Sequence, residues 1–126
     1  MKVIYVSGKL RASSRWQVYQ NIARAAAASL EIWKLGHMAF CPHLNDFPFE
    51  GELPDDVWLA GDMEMIARSD ALLMLEGWGE SEGATLEHQE AKRLGIKIYY
   101  SLKELKNALY QANHQENTES QPDGGC

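Results

Sequence analysis

The sequence predicts one α/β domain, a parallel sheet with helices packed on both faces. Strand-like and helix-like segments alternate four times along the chain, the pattern of a parallel sheet joined by right-handed crossovers. The run "DALLML", residues 70–75, is apolar at nearly every position, as expected of a strand buried on both faces. A length of 126 residues suits one compact unit of roughly 100–150 residues.

Each element follows from its residues. "KVIYVS", residues 2–7, is a β-branched and aromatic run ended by Gly8, which reads as a first strand. Over residues 15–35, Trp16, Tyr19, Ala23, Ala26, Leu30 and Trp33 recur at spacings of three and four, and Gly36 follows as a stop. That is an amphipathic helix. "HMAFC" is a second strand, broken by Pro42, and "PHLNDFPFEGELPDD" is a loop longer than the usual ~4–6 residues. A second helix is expected over residues 57–68 with Asp55 or Asp56 as N-cap, followed by the third strand. "SEGATLE", residues 81–87, opens a third helix over roughly residues 84–94, stopped by Gly95. "IKIYY" is a fourth strand and "LKELKNALYQA" a last helix. The folded domain is placed at residues 1–112, and residues 113–126, nearly devoid of apolar side chains, read as a disordered polar tail.

A net charge of −6 argues against a nucleic-acid polymer or an anionic membrane as main partner, because both demand clustered Lys and Arg. The two cysteines, Cys41 and Cys126, have no framework spacing and read as reduced thiols. Without a signal-peptide pattern or a run approaching the ~20 apolar residues of a membrane span, a cytoplasmic location is expected.

In open parallel sheets ligands bind beyond the carboxyl ends of the strands. Those ends place Ser7 and Gly8, the Cys41–His43 turn, residues 76–83 and Ser101 along one crevice. Gly77, Gly79 and Gly83 spell a glycine pattern one residue too long for a dinucleotide fingerprint and follow the wrong strand, and no P-loop motif occurs. Cys41, His43 and Asp46 are assorted donors on one loop without the four-ligand spacing of zinc sites. No cofactor or metal is called for. Glu87 has two readings: a first-turn acid complementing the helix macrodipole, or a nucleophilic carboxylate at the crevice, with Ser81 and Gly83 letting a ligand approach the helix start. Asp62 is either a solvated helix residue or a site acid. Lys9 and Arg11, in "SGKLRAS" after the first strand, either cradle a phosphate or lie on a plain solvated turn. Trp78 is placed to stack on a base or to form an oligomer contact.

The combination of "YVSGKLRAS", "CPHLN", "GDMEMIARSDALLML" and Ser81-x-Gly83-x-x-x-Glu87 resembles the nucleoside 2-deoxyribosyltransferase superfamily, and within it the small DUF4406 branch, over residues 1–101. The deoxynucleoside 5'-monophosphate N-glycosidases are similar relatives. The resemblance implies a Rossmann-like or flavodoxin-like sheet of the deoxyribosyltransferase kind. It also implies cleavage or transfer of the N-glycosidic bond of a nucleoside or its 5'-monophosphate, with no cofactor, in a homodimer or larger assembly. By it Glu87 is the nucleophile and Asp62 the proton donor. Ser81, Gly83 and Arg11 correspond to phosphate-holding positions, and Tyr5, Ser7 and Gly8 to the pocket wall, with Lys9, His43 and Trp78 beside them. A retaining carboxyl pair is expected ~5–5.5 Å apart. Glu82 beside Ser81 favours a substrate without phosphate. The rival reading is a module that binds a nucleotide derivative without turning it over.

Overall fold

The computed structural model describes residues 1–120, with side chains through residue 112. Four parallel strands, β1 (Val3–Ser7), β2 (Met38–Phe40), β3 (Ala71–Met74) and β4 (Lys97–Tyr99), lie in the order β2-β1-β3-β4. Ile4 of β1 is in register with Ala39 of β2 on one side and Ala71 of β3 on the other. The chain leaves β1 towards β2 and leaves β3 towards β4, so the direction of winding reverses between the two central strands. Their carboxyl ends therefore diverge into the crevice where such folds bind ligands.

Strand residues alternate between faces, and the alternation divides the core in two. Ile4 and Val6 of β1 and Ala71 and Leu73 of β3 pack with Ala25 and Ile32 of α1 (Arg15–Lys34) and Leu105 and Leu109 of α5 (Leu102–Ser120). Tyr5 of β1 and Leu72 and Met74 of β3 pack on the opposite face with Ile66 of α3 (Asp55–Ala67) and Ala84 and Ala91 of α4 (Glu82–Leu94). Between β2 and α3, one turn of helix, α2 (Pro42–Asn45), and a 3₁₀ turn (Phe47–Phe49) give order to the long loop.

Several boundaries differ from the sequence reading. Helix α3 begins at Asp55 behind Pro54, so Asp55 and Asp56 occupy its first turn and neither is its N-cap. Helix α4 begins at Glu82 because the Ser81 hydroxyl accepts from the Ala84 amide at 3.1 Å. Helix α5 continues to Ser120, past residue 113 where the polar tail was placed, since no Pro or Gly interrupts the chain before Pro122; residues 121–126 lie outside the described part. The apolar stripe of α1 does not face the sheet. Trp16, Tyr19, Leu30 and Trp33 are exposed, and the buried positions are the small or unobtrusive Ala25, Ser29 and Ile32. No helix among the described residues is long and apolar enough to cross a membrane.

Candidate active site

Residues two apart on a strand share a face, so Tyr5 and Ser7 both point from β1 towards α4. On α4, Ala84, Glu87 and Ala91 lie at i, i+3 and i+7 and form its buried stripe. These two periodicities meet at one carboxylate. The Ser7 hydroxyl donates to Glu87 Oε1 at 2.7 Å, and the Tyr5 hydroxyl donates to Glu87 Oε2. Glu87 is only 6% exposed and stands in the second turn of α4, not the first, which removes the helix-start reading of its charge. Burial raises its pKa, and the hydroxyls of Tyr5 and Ser7 oppose that rise by favouring the charged form. Burial, followed by the charge of Glu87, pushes the Tyr5 phenol far above its usual range, so it stays a donor.

Glu87 forms part of the wall of a cavity of about 510 Å³. Gly8, Lys9 and Arg11 of the β1–α1 loop, His43 of α2, Asp62 of α3, and Ser81 and Gly83 at the start of α4 line it too. Segments nearly eighty residues apart thus converge, and the sequence-derived set is brought together with three exceptions. Tyr5 and Ser7 do not line the cavity, and both donate to Glu87. Trp78 does not line the cavity. Gly77, at φ +85°, turns the chain into a short 3₁₀ segment (Trp78–Glu80), and the Trp78 ring stacks on His88 with centroids 4.3 Å apart.

Of the lining residues that the sequence reading does not name as ligand contacts, two bear directly on the chemistry. Asp46, considered there only as a metal ligand, lies against Asp62, and Trp58 supplies the aromatic surface, stacked on Phe49 at 6.3 Å. Their signal was their position in and just beyond the overlong loop after β2. Burial, then contact with Asp46 and the nearby charge of Glu87, raises the Asp62 pKa to about 9. Burial raises both carboxyl groups, but hydrogen bonding treats them differently: contact with Asp46 and Glu87 raises Asp62 further, whereas the hydroxyls of Tyr5 and Ser7 oppose the rise at Glu87. Such unequal environments divide acid from base, with Asp62 as the protonated member.

The cations of the first loop are already engaged. Lys9 pairs with Glu80 at 2.8 Å, while Arg11 bridges Asp55 at 2.7 Å and Glu50 at 3.4 Å, all of them residues that line the cavity. His43 donates through Nε2 to the Lys9 carbonyl at 3.0 Å, and burial lowers its pKa, so it is neutral. Its Nδ1 and the Trp58 indole nitrogen are buried without a partner among the described residues. Ser81, the α4 N-cap, keeps its hydroxyl proton available to a ligand. A Cβ built on Gly83 would meet only Ser81 Oγ, at 3.9 Å, whereas one on Gly8 would press on Leu75 at 3.0 Å. Gly8 is needed for packing, and Gly83 leaves space open. Among the described residues no three acidic, His or Cys side chains are grouped to hold a metal ion.

A family profile described as a domain of unknown function, DUF4406, matches residues 2–100. Among solved structures, the fold is similar to the 2-deoxyribosyltransferase of Bacillus psychrosaccharolyticus, a biocatalyst for nucleoside synthesis. The TM-score is 0.56 and the identity 21%, with 76% of this chain and 69% of that one covered. At this identity the likeness is one of fold. No curated protein matches the sequence.

Proposed function

Given that the chain belongs to the DUF4406 family, we propose that its cavity cleaves or exchanges the N-glycosidic bond of a deoxynucleoside, with Glu87 as nucleophile and Asp62 as acid. The observation that carries this reading is the pairing of Glu87, fixed as an acceptor by Tyr5 and Ser7, with Asp62, whose pKa of about 9 keeps it protonated. An N-glycosidic bond breaks through an oxocarbenium-like state that a carboxylate stabilises and then captures. A Glu87 oxygen bonds to the anomeric carbon as the carbon–nitrogen bond breaks. The bonding pair leaves with the base, which takes the Asp62 proton. Water or a second base then attacks the same carbon and returns the electron pair to Glu87, and its surplus proton restores Asp62. Water makes the enzyme a hydrolase, and a base makes it a transferase.

Charge favours a nucleoside without a 5'-phosphate. Asp46, Glu50, Asp55, Glu80 and Glu82 stand around the cavity, and its Lys and Arg are paired with three of them. A phosphate would have to break those pairs and enter a field of its own sign.

The test is incubation of wild type and Glu87→Gln with deoxynucleosides and their 5'-monophosphates, with and without free bases, resolved by chromatography. Wild type is expected to release or exchange base from the unphosphorylated substrates, and Glu87→Gln to lose about 10⁴-fold or more of that rate. Thermal shifts with nucleosides but no turnover by wild type would replace this reading with that of a binding module.

A further inference from the structure

The exposed stripe of α1 repeats in a stricter pattern than amphipathicity requires. Trp16, Tyr19, Ala23, Ala26, Leu30 and Trp33 follow one another at steps of three, four, three, four and three, which are the a and d positions of successive heptads. A strict a/d stripe is the seam of a coiled coil and narrower than the face a helix lays on its own core. Here the core face is a different one, carrying Ala25, Ser29 and Ile32. The seam's large members stay 69%, 55%, 54% and 49% exposed at Trp16, Tyr19, Leu30 and Trp33.

The order of residues along the seam is symmetric about the midpoint between Arg24 and Ala25. Reversed, the seam reads Trp, Leu, Ala, Ala, Tyr, Trp: bulky ends and a small centre in either direction. An antiparallel copy therefore sets Trp16 opposite Trp33, Tyr19 opposite Leu30 and Ala23 opposite Ala26, pairing each a position with a d position. The central alanines let the two backbones approach closely, and the aromatic residues close the ends. No seam position is charged, and the flanking cations, Arg15 and Lys34, lie on opposite sides of the seam (g and e), so they do not face each other across the two-fold axis.

The area is also adequate. With ~150–250 Å² per aromatic side chain at those exposures, the seam offers on the order of 400–500 Å² of apolar surface per copy. A standard interface of ~800 Å² per partner, ~65% apolar in homodimers, needs about 500 Å².

We propose that α1 pairs with α1 of a second copy of this chain in an antiparallel, two-fold coiled-coil contact, leaving the cavity on the opposite face of the sheet free. Light scattering on the eluting full-length chain at micromolar concentration should give twice the 14.2 kDa monomer mass. Ala23→Glu, an exposed position whose change leaves the core untouched, should return it to the monomer mass with unchanged circular dichroism. The dimer dissociation constant should rise about 100-fold or more, because the new charges would be buried unpaired.

In the Ala23→Cys/Ala26→Cys double variant, oxidation should link residue 23 of one copy to residue 26 of the other, a linkage readable when the covalent dimer, separated from monomer on a non-reducing gel, is cleaved by trypsin at Arg24. A monomeric wild type, a dimer indifferent to Ala23→Glu, or disulfides joining 23 to 23 and 26 to 26 would each overturn the proposal. These readouts concern assembly alone, so they stand or fall apart from the glycosidic chemistry.

Discussion

The two faces of the sheet are built from the same strands and do opposite work. Towards α1 and α5, β1 and β3 present Ile4, Val6, Ala71 and Leu73, and the cluster they anchor is apolar throughout. Towards α3 and α4 the same strands present Tyr5, Ser7, Leu72 and Met74, and hydroxyls and carboxyl groups enter at the carboxyl end of the sheet. Buried carboxyl groups with raised pKa values are costly, and one face bears that cost while the other supplies stability free of it. The contrast marks the face towards α3 and α4 as the candidate site without reference to any relative. A fold that needed only to be stable would have no reason to bury Glu87 behind two hydroxyls.

The contrast can be broken most forcefully at Asp62. Asp62→Asn cannot protonate a leaving base, and a drop in turnover of about 10²-fold or more is expected. Wild-type turnover should fall as pH rises through about 9, where Asp62 loses its proton, and in Asp62→Asn that limb should vanish. Stability has a matching signature. The folded chain holds the Asp62 proton up to about 9 and the unfolded chain only to 3.8, so between these values the folded state binds the extra proton. Unfolding free energy from this group is then greatest below 3.8 and declines with rising pH across the window. Denaturant titrations at several pH values should show a shallower decline in Asp62→Asn; equal slopes would mean that Asp62 is ionised in the folded protein.

A pair of variants sharpens the comparison further. Leu73→Ala, on the apolar face, should cost about 2–5 kcal/mol of stability and leave the turnover of folded molecules unchanged. Tyr5→Phe, on the neighbouring strand but the other face, should keep most of the stability and lower turnover about 10- to 100-fold, as Glu87 loses a donor. The same protein samples, melted and assayed in parallel, would expose any mixing of the two effects. The smallest stability effect is expected at Gly83→Ala, a helical position with room for a Cβ. The substitution should be neutral or add up to ~1 kcal/mol, while turnover falls because the new methyl group enters ligand space. Unchanged turnover there would move the substrate away from the start of α4.

Much of this architecture was legible in the residues. "KVIYVS" and "DALLML" announced strands through β-branched and continuous apolar character, and Gly95 ended α4 where expected, at φ +72°. Glu87 was legible as a residue near a helix start and a crevice, but its direction depended on where α4 begins. Only the Ser81 cap, which starts the helix two residues ahead of the expected position, settles that. Asp46 and Trp58 escaped because a cavity wall is made by tertiary approach, which no local period encodes. Periodicity located the stripe on α1 but not what it faces. Ala25, Ser29 and Ile32 satisfy the sheet, and the bulky residues of the stripe, which look like core, lie outside it.

The register of β1 has a consequence for how the molecule comes into being. Its first pairing is with β2, through Val3 and Met38, and joins residues of the first βαβ unit; its second, through Ile4 and Ala71, must wait for chain nearly seventy residues further on. The Tyr5–Glu87 contact spans a still longer separation. Non-local pairings of this kind are slow, because loop closure is costly before any contact rewards it. During synthesis, therefore, one edge of β1 stays open until β3 has emerged, and the cavity has no existence in any folding intermediate that lacks the β1–β3 ladder. Formation of the cavity and completion of the central sheet arrive as a single event.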